Sequence, residues 1–203
     1  DEFHGATALF LLRGCCDLKP RNIDPSGHFK LGSIAELKRF GRQLSQAVLT
    51  ALAGDLVEID GRIRIMLSSV KLPLQPIPSR RELKSLAEGK DWRGRKSTMI
   101  LQALDEGVAL PDCYNYTIQL ISIGDAMSLL GLAGEVCVDY SLRFKRQLGE
   151  RVWVLGYCND GWCTYIPSAR MIPEGGYEVE RWLLETRLPM PFTSDVESII
   201  AGK

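Results

Sequence analysis

The sequence lacks a long hydrophobic run and an excess of charge of either sign. Its longest apolar runs, Ala6–Leu12 and Met127–Ala133, are far shorter than the about 18 residues of a membrane-spanning helix. The 25 Lys and Arg residues balance the 25 Asp and Glu residues. A chain without net charge has no strong field to attract nucleic acid or an anionic membrane surface. We therefore expect no transmembrane segment in this chain and no nucleic-acid partner.

Several catalytic motifs are also missing. The sequence contains no GxGxxG, GxxxxGK[ST] or GxSxG pattern, which excludes the usual dinucleotide loop, the P-loop and the nucleophile elbow. Its two histidines, His4 and His28, form neither an HxH nor an HExxH pair. A metal site built on paired histidines is therefore not expected within this chain.

Cysteine is present but is not dense enough for a disulfide scaffold. The sequence has six cysteines, and two of them, Cys15 and Cys16, are adjacent. Cys158 and Cys163 are spaced as C-x4-C, but a structural zinc site needs a second ligand pair. Two packed thiols, or one disulfide in an oxidising compartment, are the simpler interpretations, so the compartment stays open.

The length and composition predict a folded unit. With 203 residues and 45% hydrophobic content the chain can bury a core, which excludes disorder, collagen and coiled coil. The sequence begins with Asp1 and enters an apolar run after five residues. We expect residues 1–203 to form a single unit that was cut from a longer protein.

Helical spacing and end signals predict several helices. Capping boxes at Ser33-x-x-Glu36 and Ser79-x-x-Glu82 indicate two helix starts. The first of these helices carries an apolar face that consists of Ile34, Leu37, Leu44, Val48 and Leu52. Further helices are predicted at Lys96–Asp105, Val136–Leu148 and Ser194–Ile200.

The strand signals alternate with these helices. The continuous apolar run Ala6–Leu12 is typical of a strand buried on both faces, as is Arg151–Tyr157. Asn115–Ile123 and Ala126–Leu132 flank a Gly124-Asp125 turn and predict a hairpin. Ile63, Ile65 and Leu67 alternate with polar residues, which predicts a half-buried strand that ends before Pro73. The order predicts an α/β fold with a mixed, mostly parallel sheet covered by helices and one antiparallel hairpin.

Polar side chains follow three predicted strands. In an open α/β sheet ligands collect at the carboxyl ends of the strands, so we expect the loops after Leu12, Leu132 and Tyr157 to meet. Together they carry Cys15, Cys16, Asp17, Lys19, Glu135, Asn159, Asp160 and Tyr165.

Each of these residues also has an ordinary structural interpretation. Glu135 follows Gly134 at a predicted helix start, where a carboxylate is stabilised by the exposed N–H groups, so capping competes with metal binding or acid–base work. Tyr165 can bury its ring and bond its hydroxyl to the backbone. Asp17 is a plausible Asx-turn residue, and Lys19 a solvated charge beside Pro20.

Four segments together resemble the neutral/alkaline, non-lysosomal ceramidase family, in particular its bacterial ceramidase-like branch. They are ALFLLRGCCDLKPR (Ala8–Arg21), GDAMSLLGLAGE (Gly124–Glu135), GYCNDGWCTYIPS (Gly156–Ser168) and EGGYE (Glu174–Glu178). They occur in the family's order and cover nearly the whole chain. The resemblance implies the C-terminal part of a ceramidase-like catalytic domain, without the β-sandwich domain that follows it in well-known members.

What this resemblance implies is a zinc-dependent hydrolase that cleaves the amide of N-acylsphingosines or a related lipid or amide substrate. Two histidines, a glutamate and a tyrosine hold the family's metal. Glu135 matches the glutamate ligand and Tyr165 the tyrosine ligand, while Tyr177 matches a second active-site tyrosine. Asp17 matches an aspartate of the family's catalytic loop, and Asn159 lies in the loop expected to contact substrate. Zinc accepts such oxygen ligands and activates amide carbonyls.

The chain departs from the family pattern at two points. The family's histidine ligands lie upstream of the first predicted strand, and His4 and His28 match neither. Lys19 stands where the family has a loop serine, so a serine-dependent acyl mechanism is not available there, whereas zinc hydrolysis does not need that serine. We keep Lys19 as a candidate catalytic residue.

Three classes of function follow from these observations. The leading expectation is a zinc amidohydrolase whose two histidine ligands come from upstream, so that this chain alone is inactive. Family members are commonly exported or membrane-associated. The alternative, suggested by Lys19, is a non-catalytic binding or structural protein that keeps the fold. A cysteine enzyme built on Cys15 or Cys16 would need a histidine that the sequence does not obviously place.

Overall fold

The computed structural model of the chain describes residues 5–159 and 165–202. Its helices are α1 (Ile34–Leu52), α2 (Arg80–Ala87), α3 (Trp92–Asp105), α4 (Val138–Leu148), α5 (Met171–Glu174), a 3₁₀ helix (Arg181–Glu185) and α6 (Val196–Ala201). Its strands are β1 (Ile63–Pro73), β2 (Cys113–Ile123), β3 (Met127–Leu132), β4 (Glu135–Val136), β5 (Val152–Leu155) and β6 (Tyr165–Ile166).

The main sheet has four strands in the order β1-β2-β3-β5. The β1–β2 and β2–β3 pairings are antiparallel, and the β3–β5 pairing is parallel. Strands β4 and β6 form a separate two-stranded parallel sheet. The chain thus mixes helices with a mixed sheet, as predicted, but the expectation of a mostly parallel sheet is not confirmed. The physical reason is the β1–β2 pairing, which runs in antiparallel register along all of β1.

The local end signals predicted most elements well. Both capping boxes form, since Ser33 and Ser79 accept the N–H groups of Glu36 and Glu82. The hairpin is confirmed as β2–β3, with Ile123 paired to Met127. Strand β1 does not end before Pro73 as expected, because Pro73 is its last residue and lies opposite Cys113.

The expectation of a buried strand at Ala6–Leu12 is wrong. This segment has no strand structure, and the side chains of Leu9 and Phe10 are 78% and 79% exposed. Contact with the sheet begins only at its end, where Arg13 forms an isolated antiparallel bridge with Leu155. Within the described residues no strand pairs with this segment, so its backbone groups form no ladder, and apolarity alone does not make a strand.

The core lies where β1, β2, β3 and β5 meet the helices that follow them. Its fully buried members include Leu72, Tyr116, Leu132, Val154 and Trp182. Helix α1 buries none of its residues, and its predicted apolar face is exposed. Within the described residues, none of the helices combines the length and apolarity needed to cross a bilayer.

Candidate functional site

The three polar loops meet as expected, and backbone hydrogen bonds hold them together. The N–H of Gly156 donates to the carbonyl of Leu12 at 3.0 Å, and the N–H of Tyr157 donates to Gly134 at 2.8 Å. The N–H of Cys158 donates to Leu132 at 3.0 Å. The loop after β5 is therefore fixed both to the segment before Arg13 and to the end of β3.

The same loop adopts an unusual backbone conformation. Tyr157 and Asn159 have φ angles of 58° and 59°, and they are the non-glycine residues with positive φ among those that the structure describes. Asparagine enters this left-handed region more readily than most residues, whereas a tyrosine there is uncommon. The backbone bonds of Gly156, Tyr157 and Cys158 hold this conformation in place.

Glu135 and Tyr165 are direct neighbours in the structure. They are register partners in the parallel β4–β6 pair, so their Cα atoms lie at the about 5 Å spacing of adjacent strands. Both residues are half-buried. The ring of Tyr177 packs edge-on against that of Tyr165, with the centroids 5.5 Å apart, and Trp182 lies on Tyr165 at 6.1 Å. We call Glu135 and Tyr165 the oxygen pair.

Asp17 lies next to the oxygen pair but has a structural task. Its Oδ1 accepts the N–H of Val138 at 2.8 Å and so caps α4, where the N-cap residue Cys137 makes no side-chain cap bond of its own. Burial raises the pKa of the Cys15 thiol, and the charges of Glu135 and Asp17 raise it further. The structure thus joins Glu135, Tyr165 and Tyr177 directly, and Asp17 reaches the same region through Val138, three residues after Glu135.

The capping contact gives a testable result for Asp17. We expect Asp17→Ala to lower the free energy of unfolding by about 1 kcal/mol, because α4 loses a cap, whereas Asp17→Asn keeps an oxygen acceptor and should stay within a few tenths. Urea unfolding at neutral pH measures both changes. An unchanged stability in Asp17→Ala would show that the cap contributes nothing.

The structure does not place Lys19 at the oxygen pair. Its ammonium lies over the ring of Phe29, 5.3 Å from the centroid, in an exposed groove formed by residues 19–40. A catalytic role for Lys19 gains no support from this position: Pro20 follows it, and its side chain has an aromatic partner in the next segment.

Asn159 follows β5 as predicted, and its amide has a protein partner. The Nδ2 group donates to Oε1 of Gln119 on β2 at 3.0 Å. This bond turns the amide toward the sheet. Asp160 and Cys163, which the sequence also singled out, lie outside the described residues.

Sequence reasoning missed a pair of buried cysteines beside the oxygen pair. The Sγ atoms of Cys16 and Cys137 lie 2.7 Å apart, and Cys137 Sγ lies 3.2 Å from Met171 Sδ. One ligand atom each of Cys16, Asp17 and Cys137 falls within 4.8 Å of the others. The hydrogen bond to Cys137, burial and nearby charges hold the pKa of Cys16 well above its usual range. No sequence spacing signals this contact, because 121 positions separate the two cysteines.

The described histidine does not complete a cysteine-enzyme site. His28 is exposed, and its Nδ1 lies 3.9 Å from Asp24 in the loop before α1. His4 lies outside the described residues. A nucleophilic role for Cys15 or Cys16 therefore gains no support from His28.

A buried lysine lines a separate cavity of about 240 Å³ between α2, α3 and the 3₁₀ helix. Lys96 is 6% exposed, and its Nζ donates to the carbonyls of Leu183 at 2.7 Å and Thr186 at 3.3 Å. Burial lowers the pKa of Lys96 to about 8. The lysine joins α3 to the 3₁₀ helix, which is a structural explanation of its burial.

The lowered pKa of Lys96 predicts a pH dependence of stability. In the folded chain the amine loses its proton near pH 8, whereas in the unfolded chain it loses it near pH 10.5. The unfolded state therefore binds more protons in this interval, so the contribution of Lys96 to the free energy of unfolding rises with pH, by about 1 kcal/mol at pH 9. Buried thiols and tyrosines, whose pKa values are raised, lower the free energy of unfolding as the pH rises. Their effect is the same in wild type and in Lys96→Met, so it cancels when the two proteins are compared.

Urea unfolding of wild type and Lys96→Met at pH 7 and pH 9 isolates this contribution. We expect the free energy of unfolding of wild type, relative to that of Lys96→Met, to be about 1 kcal/mol higher at pH 9 than at pH 7. Equal differences at the two pH values would show that the Lys96 pKa is not lowered.

Comparison of the chain with protein-family models, with curated proteins and with solved structures found no match in any of the three. The candidate site therefore stands on its own geometry.

Proposed function

We propose that this protein is a ceramidase-like, zinc-dependent amidohydrolase that acts on an N-acylsphingosine or a related amide. The observation that carries the proposal is the oxygen pair: Glu135 and Tyr165, 30 positions apart in sequence, are register partners in adjacent strands. The two residues that the family resemblance assigns to zinc are thus neighbours in the backbone register of one sheet, which supports a shared ion. Tyr177, the third residue of the resemblance, packs on Tyr165.

The charges around the oxygen pair suit a cation. Glu135 and Asp17 both act on the Cys15 thiol. Across residues 5–159 and 165–202, neither carboxylate has a Lys, Arg or His as an ion-pair partner. Two carboxylates that act on one thiol and have no cationic partner support a bound positive ion. A carboxylate and a phenol oxygen are hard donors that zinc accepts alongside nitrogen ligands.

In this proposal each residue has a defined task. Glu135 and Tyr165 hold the zinc, which when bound supplies Lewis-acid chemistry for amide cleavage. Tyr177 orients the substrate beside them, and Asp17 is a positioning residue that fixes the start of α4 after Glu135. The two nitrogen ligands of the family come from outside the described residues, because His28 lies elsewhere.

The test uses the protein as the cell makes it. We expect about one bound zinc per chain by metal analysis, and hydrolysis of a fluorogenic N-acylsphingosine that a chelator abolishes and added zinc restores. Because the oxygen pair supplies two oxygen ligands and His28 lies elsewhere, we expect the 203-residue chain to bind zinc at this pair more weakly than micromolar in calorimetric titration.

Two results would contradict the proposal. Hydrolysis that survives complete removal of metal would exclude the zinc mechanism. Full-length protein that carries no zinc and does not hydrolyse the substrate would favour the alternative, a binding or structural protein that keeps the fold.

A complex of the 203-residue chain tighter than micromolar would show that its own side chains, such as the cysteines, bind the ion.

A further inference from the structure

Two cysteine sulfurs from distant parts of the sequence lie in contact inside the fold. Cys16 is 6% exposed and Cys137 is fully buried, and their Sγ atoms are 2.7 Å apart. Non-bonded heavy atoms usually settle at about 3.5 Å or more. A disulfide bond measures about 2.05 Å, so the sulfurs are roughly 0.7 Å from bonding distance. The contact is closer than two thiols would adopt by packing alone.

The backbone holds the two cysteines together without help from the sulfurs. The N–H of Cys16 donates to the carbonyl of Val136 at 3.3 Å, and Asp17 caps the N–H of Val138 at 2.8 Å. Gly14 lies so close that a Cβ there would stand 2.8 Å from the carbonyl oxygen of Cys137. The loop is therefore fixed on the start of α4, which keeps the two sulfurs close to each other.

A shared metal ion is the competing explanation for the cluster. Tetrahedral zinc at about 2.3 Å from each thiolate would hold the two sulfurs roughly 3.8 Å apart. The observed Sγ–Sγ separation of 2.7 Å is shorter than a non-bonded contact, whereas a shared zinc would hold the sulfurs farther apart than that. Asp17, the third residue that could bind the ion, already accepts a hydrogen bond from the N–H of Val138 through its Oδ1 atom. Both observations favour a sulfur–sulfur bond over a dithiolate metal site.

We propose that Cys16 and Cys137 form an intramolecular disulfide in an oxidising thiol–disulfide environment. With glutathione disulfide as oxidant, one cysteine displaces glutathione and forms a mixed disulfide, and the second cysteine displaces the other glutathione. The protein loses two electrons, and its two thiol protons pass to the two glutathione thiolates. The bond ties residues 14–17 to the segment that follows Glu135. This inference is independent of the proposed zinc chemistry.

The experiment equilibrates the protein in glutathione redox buffers, starting from both its reduced and its oxidised form. After acid quenching and alkylation, peptide mapping should find a Cys16–Cys137 cross-link in most molecules in the oxidised buffer and none in dithiothreitol. The bond would close a loop of about 120 residues, so the melting temperature should rise by about 5–10 °C on oxidation. Cys15→Ser is the matched control and should retain both effects, whereas Cys16→Ser and Cys137→Ser should lose them.

The wild-type map decides the outcome even if a core variant fails to fold. Full alkylation of both cysteines in the oxidised buffer would overturn the proposal, as would a cross-link from Cys15 in place of Cys16. Addition of zinc to the reduced protein provides the third arm. If zinc shields Cys16 and Cys137 from alkylation, while the oxidised buffer gives no cross-link, the cluster is a metal site and the disulfide is wrong.

Discussion

Glu135→Gln and Tyr165→Phe should each lower zinc-dependent amidase activity of the full-length protein by at least about 100-fold, which corresponds to about 2.7 kcal/mol in the barrier. Gln keeps the shape of Glu but loses its charge, and Phe keeps the ring of Tyr but loses its oxygen. Since the two residues are register partners and only half-buried, the fold should tolerate either change. Bound zinc should fall together with activity. Steady-state kinetics with metal analysis measures both.

Two control variants separate this effect from a general loss of charge. Glu58→Gln removes a carboxylate at an exposed position, and Lys19→Ala removes the ammonium that lies over Phe29. Both should change activity far less than the substitutions at the oxygen pair. Thermal melts of all four variants are needed, because unfolding would imitate a catalytic loss. If Lys19→Ala abolished turnover while Glu135→Gln kept zinc and activity, the mechanism would depend on lysine instead of the metal.

Gly94→Ala should lower the free energy of unfolding by about 3 kcal/mol. Gly94 is buried in the first turn of α3, and a Cβ at this position would stand 1.9 Å from the carbonyl oxygen of Gly89. The obstacle is backbone, so no side-chain rotation relieves it, and the α2–α3 turn must shift. Urea denaturation measures the loss.

Gly41→Ala is the matched substitution with the opposite expected sign. Gly41 lies in the middle of α1, is exposed, and has no atom within 4 Å of the position that a Cβ would take. Alanine there should stabilise the helix by about 0.5–1 kcal/mol, because glycine loses more backbone entropy in a helix. Equal effects of the two substitutions would show that the close packing of Gly94 carries no cost.

The sequence predicted those parts of the fold that depend on neighbours in the chain. The capping boxes at Ser33 and Ser79 involve residues three positions apart, and the β2–β3 hairpin is specified by its own turn. The predicted strand Ala6–Leu12 failed because apolarity alone was its signal. A strand also needs a partner along its length, and among the described residues the contact is limited to the bridge from Arg13 to Leu155.

The candidate site divides in the same way. The loops after β3 and β5 were predictable because strand ends gather ligands, and they do meet, whereas the segment that ends at Leu12 joins them without being a strand. The task of Asp17 was not predictable, since it caps a helix that begins 121 positions later. The Cys16–Cys137 contact has no spacing signal for the same reason. Lys19 was predicted to be catalytic because it aligns with the family's serine. Its ammonium instead lies over the ring of Phe29, a contact that the alignment does not reveal.

The left-handed backbone at Tyr157 and Asn159 affects how the loop after β5 can take part in binding. An L-residue in this region is held against its own preference, at a cost of order 1–3 kcal/mol. The hydrogen bonds from Gly156, Tyr157 and Cys158 offset this cost as the chain folds. Residues 156–159 are therefore preorganised. A ligand that binds these residues would not have to order them. It would therefore bind more tightly than a ligand that makes the same contacts with a disordered segment.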